Sequence, residues 1–192
     1  MANNMLNNVS IRLMSGGHAF SNKDLETLKS AGNGAVVEVV TPKTVLRPAA
    51  GFDAANAKAE LEATGYVVAE NEAVVCGEPQ NGRVAIMAVS AACVEAIAAA
   101  GIKVSYTSPL VLEEDIEEGS LIALYDDVLY VRVYKAGLRF AEAMTVAGDA
   151  DILFYLESIN RVYNIYNMYA RAIGDVERLS RVCRKCMKLC VL

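Results

Sequence analysis

The sequence predicts an α/β protein of two related units, and three observations carry that prediction. From Ser120 to Ala147 three β-rich runs follow one another: Leu121–Tyr125, Val128–Lys135 and Leu138–Val146. They are joined by an Asp126-Asp127 turn and a Lys135-Ala136-Gly137 turn, residue types that tolerate the backbone of tight hairpins. A helical apolar pattern begins directly afterwards, at Asp151. The first hundred residues also run from strand-like stretches into helix-like ones.

At 192 residues the chain is one generous domain or two small ones, with 54% hydrophobic residues to fill a core. Positive mean hydropathy excludes a disordered chain, and 21% charged residues leave a soluble surface. No apolar run reaches eighteen residues, so no membrane span is expected. The start, MANNMLNNVS, lacks the basic-then-apolar layout of a signal peptide. Five cysteines without a regular framework fit a reducing compartment, and the expected location is the cytoplasm. The net charge of −5 is unevenly spread: residues 161–192 carry seven Lys/Arg against two Asp/Glu, and the remainder carries eleven against twenty-one. We read the basic end as a solvated face balancing an acidic body, and nucleic acid is not an expected partner.

Taken in order, Val9–Met14 alternates like a strand, and Ser15-Gly16-Gly17 turns it toward His18–Ser21 as a hairpin. Asp24–Ser30 is short and helical, Ala35–Val40 is a strand, and Thr44–Leu46 is a short edge before Pro48. Phe52–Thr64 reads as a helix stopped by Gly65. Ala73–Cys76 and Arg83–Val89 are strands, Ser90 caps a helix that Gly101 closes, and Ile102–Tyr106 is the next strand. That strand–helix–strand order favours a right-handed crossover. Glu113–Glu118 is an acidic connection into the second half.

In Val128–Lys135, residues Leu129, Val131 and Val133 point to one side, and Val128, Tyr130, Arg132 and Tyr134 to the other. One helix is expected over Asp151–Ile173, with Ile152, Leu156, Ile159 and Val162 against the sheet. Gly174 stops it, and a second helix is expected over Val176–Leu189. Three antiparallel strands followed by βα units make the ribonuclease-H-like plan, and two such units in tandem make the actin-like plan. The expected organisation is a first unit over 1–108, an acidic linker over 109–119, and a second unit over 120–192. With no strand evident after Ile173, that second unit reads as truncated.

Four stretches carry a resemblance: Val9–Ser21, Val39–Gly65, Arg83–Ile97 and Leu121–Ile159. Through them the chain resembles a bacterial family of uncharacterised proteins, a domain of unknown function whose members have an actin-like ATPase fold. That fold is distantly similar to the type IV pilus assembly actin-like protein. The resemblance implies a fold and no assigned activity.

Active actin-like ATPases pair a carboxylate with a Gly-rich phosphate hairpin. Ser15, Gly16 and Gly17 supply glycine without a carboxylate, whereas Asp126 and Asp127 supply carboxylates without glycine, whose missing Cβ lets backbone approach phosphate. These five are the candidate cofactor-binding residues, each hairpin holding half of the chemistry. No catalytic residue, metal site or cofactor is expected. Cys183, Cys186 and Cys190 lie on the stripe of the second expected helix, where free thiols act as small hydrophobes. Tyr155, Tyr166, Met168 and Tyr169 spread wider than one stripe, which marks them as candidates for a homodimer interface. The expected function is a non-enzymatic interaction or scaffold protein with an unknown protein partner; the alternative is a nucleotide-binding ATPase or switch with unusual phosphate loops.

Overall fold

The computed structural model describes residues 10–14, 21–31, 35–111 and 116–191. The chain divides into two compact units, Met1–Leu112 and Glu113–Leu192.

In the first unit, β1 (Ser10–Met14), α1 (Asn22–Ala31) and β2 (Ala35–Val40) form a parallel pair with its connecting helix. β2 then pairs in parallel with β6 (Val104–Thr107). A second, antiparallel sheet has the order β3 (Thr44–Pro48), β5 (Arg83–Ser90), β4 (Glu72–Cys76). A parallel bridge between Gly77 and Tyr106 joins its β4 end to β6.

The sequence of β5 is almost wholly apolar because both of its faces are covered. Ile86 and Ala88 meet Ala57 and Leu61 of α2 (Ala57–Glu62). Ala85, Met87 and Val89 join the cluster that holds Leu28 of α1 and Ile97 of α3 (Ala91–Ala99).

One expectation for this half is corrected. β5, α3 and β6 do not form a parallel crossover, because β4 lies between the strands and runs opposite to β5. Residues 15–20, which held the expected hairpin turn, lie outside the described residues.

The second unit begins with the expected meander: β7 (Glu118–Tyr125), β8 (Val128–Lys135) and β9 (Leu138–Thr145), antiparallel throughout. Leu129, Val131 and Val133 face the helical side, where they pack with Ile152, Leu156 and Ile159 of α4 (Asp149–Tyr163). The opposite side of β8 is also buried, with Tyr130 at 0% and Arg132 at 2% exposure. Burial holds the Arg132 guanidinium below its usual range.

After α4 the structure departs from the sequence reading, and two strands follow where only helix was expected. α4 ends at Tyr163 because Asn164 adopts a left-handed conformation, φ 57°, and donates its N–H to Asn160 O. The Asn160 side chain then accepts from Tyr166 N at 2.9 Å, fixing a single 3₁₀ turn over Ile165–Asn167. The chain re-enters the sheet as β10 (Ala170–Gly174), parallel to β7. α5 (Val176–Cys183) and β11 (Leu189–Val191), parallel to β10, complete a βαβ unit. The sheet order is β11-β10-β7-β8-β9, three antiparallel strands closed by two parallel ones. The single helix expected over Asp151–Ile173 and the one over Val176–Leu189 are each a helix followed by a strand. Val162, expected in the core, is 73% exposed.

Candidate functional site

The two carboxylates singled out in the second unit, Asp126 and Asp127, form the exposed turn between β7 and β8. Asp126 takes a φ of 50°, a conformation Asp tolerates better than most residues. The Asp127 carbonyl accepts from Val146 N at 2.7 Å and so ties the turn to the exit of β9. β7 and β10 both end here, and carboxyl ends of parallel strands are where α/β folds usually hold ligands.

Two helices begin at the same end, and both starts are closed by the chain's own carboxylates. Ahead of α4, Asp151 Oδ2 accepts from Ala147 N at 2.7 Å and Gly148 N at 3.2 Å. Ahead of α5, Asp175 Oδ1 accepts from Arg178 N at 3.0 Å, while Asp175 N donates to Leu124 O at 2.8 Å. Three backbone donors at these helix starts, Ala147 N, Gly148 N and Arg178 N, are therefore already taken.

Arg178 links the two helices and the turn. Its Nε donates to Asp149 Oδ1 at 2.7 Å, and its Nη1 to Asp126 O at 3.4 Å. Arg181 Nη2 reaches Asp149 Oδ2 at 3.3 Å. Hydrogen bonding from Arg178 holds the Asp149 carboxyl below its ordinary value, with Arg181 assisting. Because the folded value is depressed, the pair stabilises the fold above the carboxyl's unfolded pKa, near 3.8, and the contribution disappears as pH falls through the folded value. Asp149→Asn is expected to flatten the acid limb of stability against pH, with little change in its shape above pH 5. Urea midpoints taken from pH 2.5 to 6 measure this; an unchanged acid limb would mean that the pair contributes nothing.

Sequence reading found the carboxylates of this end but not Arg178, the residue that joins them. Its partner Asp149 lies 29 positions away, and no local spacing announces such a pair. Ser15, Gly16 and Gly17 fall outside the described residues, so only Asp126 and Asp127 of the five candidates are placed. A small cavity of about 100 Å³ at the end of β1 and β2 is lined by Leu13, Thr41, Glu72 and Ser90, among others. Its Glu72 is held by Lys43 at 2.7 Å.

The cysteine stripe does not form. Only Cys183 is on α5, fully buried, where burial pushes its thiol up to about 12. Cys186 lies in the following turn, its Sγ 3.3 Å from Cys183 O, and Cys190 is on β11. Among the described residues no three His, Cys, Asp or Glu side chains are grouped to hold a metal ion. Of the four expected interface residues, Tyr155, Tyr166 and Met168 are half-buried against the core of the second unit, and Tyr169 is 48% exposed.

Among the described residues no helix is long and apolar enough to cross a membrane. No family model and no curated protein matches the chain. Among solved structures, a protein of Bacteroides thetaiotaomicron described as having an actin-like ATPase fold and unknown function superposes with a TM-score of 0.66 at 12% identity. That match covers 82% of this chain and 68% of the other. The cytoplasmic domain of EpsL, an inner-membrane component of the type II secretion system of Vibrio cholerae, gives a TM-score of 0.45 at 16% identity, over 95% of this chain and 84% of that one. The chain thus has the mixed α/β architecture of the actin-like ATPase fold, the fold that its sequence resembles.

Proposed function

We propose that this chain is a non-enzymatic interaction or scaffold protein built on two units of an actin-like fold. One observation carries the reading: at the carboxyl ends of β7 and β10, three backbone donors and the arginine best placed to receive a nucleotide's phosphates are engaged within the chain. Ala147 N and Gly148 N are held by Asp151, Arg178 N by Asp175, and the Arg178 guanidinium by Asp149. The turn itself carries two exposed carboxylates and no glycine, so it offers a polyphosphate repulsion and blocked backbone. Mg-ATP and these residues do not fit one another.

Calorimetric titration with Mg-ATP is expected to give no binding heat at millimolar nucleotide. Micromolar affinity that is lost in Asp126→Ala would overturn the reading in favour of a nucleotide-dependent switch.

A further inference from the structure

Cys183, Cys186 and Cys190 follow one another closely in the chain, and the fold separates the last from the other two. Leu189 packs against the core on the helical side of the sheet, so Cys190, next along β11, faces the opposite side. Cys183 and Cys186 stay together. α5 ends at Cys183, and the chain turns so tightly that Cys183 O accepts from Cys186 N at 2.9 Å and from Met187 N at 3.0 Å. The Cys186 side chain follows the same turn, its Sγ donating to that carbonyl at 3.3 Å.

Side chains three apart on a helical turn have Cβ atoms about 5–6 Å apart, and a disulfide needs about 3.5–4.5 Å. The turn can supply that small closure, because the residues between the two cysteines, Arg184 and Lys185, are exposed and lie beyond the end of α5. The two thiols differ in access. Cys183 is fully buried. Cys186 is half-buried and lines an open hollow of about 520 Å³, beside Tyr166 and Met187. Arg184, Lys185 and Lys188 line the same hollow and are exposed, a setting that draws in an anionic reagent. An accessible thiol backed by a buried one is suited to exchange: one sulfur meets the reagent, and the other meets only the first.

We propose that Cys183 and Cys186 form a reversible dithiol–disulfide pair that reacts with anionic low-molecular-weight disulfides, Cys186 as the entry thiol and Cys183 as the resolving one. The Cys186 sulfur attacks one sulfur of the reagent, whose S–S bond breaks, and the first small thiol leaves with the Cys186 proton. The Cys183 sulfur then attacks the Cys186 sulfur; the mixed S–S bond breaks, and the second small thiol leaves with the Cys183 proton. The two cysteines lose two electrons and two protons, and the reagent gains both. The pair is in its dithiol state in this structure. This site is independent of the interaction-protein reading and of whether a nucleotide binds.

Mass spectrometry on the full chain tests this, with the reduced protein treated with glutathione disulfide and then alkylated. Trypsin cuts after Arg181, Arg184, Lys185 and Lys188, so the two cysteines fall on separate peptides. The expected product is Val182–Arg184 linked to Cys186–Lys188, and dithiothreitol is expected to separate them. Cys183→Ala is expected to keep one glutathione on Cys186, since no second sulfur displaces it, and Cys186→Ala to leave Cys183 unmodified. Lys185→Glu/Lys188→Glu is expected to slow the reaction about threefold or more at low salt, with no slowing toward the uncharged hydroxyethyl disulfide. The peptide map of the unmodified chain decides the pairing even if Cys183→Ala, at a buried position, does not fold. Glutathione that stays on Cys186 of the unmodified chain overturns the proposal, as does a link to Cys190 or a Cys183 that reacts as fast in Cys186→Ala. Equal slowing toward both reagents, or none toward either, overturns the choice of an anionic disulfide.

Discussion

Gly174→Ala is expected to disrupt the second unit, with a loss of more than about 3 kcal/mol, a large share of a domain's typical stability. Gly174 ends β10 at φ 79°, opposite Leu124 of β7. A Cβ there would run into the Leu124 carbonyl and come within 2.9 Å of the Tyr125 ring. The left-handed conformation alone costs an alanine about 1–2 kcal/mol. The backbone clash adds to it, since β10 can relieve it only by leaving β7. That movement would also displace Asp175, whose N–H is bonded to Leu124 O, and with it the Arg178–Asp149 link. Gly137→Ala is the control: its φ of 107° is also unfavourable, but nothing lies within 4 Å of a Cβ there. That variant should lose only about 1 kcal/mol. Urea denaturation followed by far-ultraviolet circular dichroism compares the two. Equal losses would mean that β10 and β7 do not approach as closely as described.

Leu156→Ala is expected to cost about 2–5 kcal/mol. Leu156 is fully buried in the middle of α4, in the cluster that includes Ile122, Leu129, Val131 and Leu179. Its removal leaves a cavity that the sheet on one side and two helices around it cannot easily close. Phe154, two positions earlier and 66% exposed, supplies the contrast: its truncation should change stability by no more than about 0.5 kcal/mol. Urea midpoints decide between them. A loss at Phe154 as large as that at Leu156 would mean that α4 presents a different face to the sheet.

The meander from β7 to β9 was legible in the sequence because its signals are local. Its strands alternate with period two, and its turns carry residue types that accept left-handed backbone, Asp126 at φ 50° and Gly137 at φ 107°, with Ala136, at φ 50°, held there by the hairpin at a cost. The central strand β5 and the helices after Asp53 and Ser90 were visible for the same reason. So was the inward set of α4, Ile152, Leu156 and Ile159. What the sequence could not announce was where helix gives way to strand after Tyr163. Tyr166, Tyr169 and Ile173 continue the three-and-four spacing of an amphipathic helix, and β10, Ala-Arg-Ala-Ile-Gly, has little intrinsic strand preference. The break depends on Asn164 turning left-handed and on the Asn160 side chain catching Tyr166 N. β10 is a strand because β7 and β11 flank it, and because its small Ala170 and Ala172 fit into the core beneath the helices. The same holds for the carboxylate end: each acid is plain in the sequence, but Asp149 and Arg178 meet only once two parallel strands have brought the starts of α4 and α5 together. Contacts between residues far apart in the chain leave no periodic trace, so the sheet's closure and the locked site were decided by the tertiary structure alone.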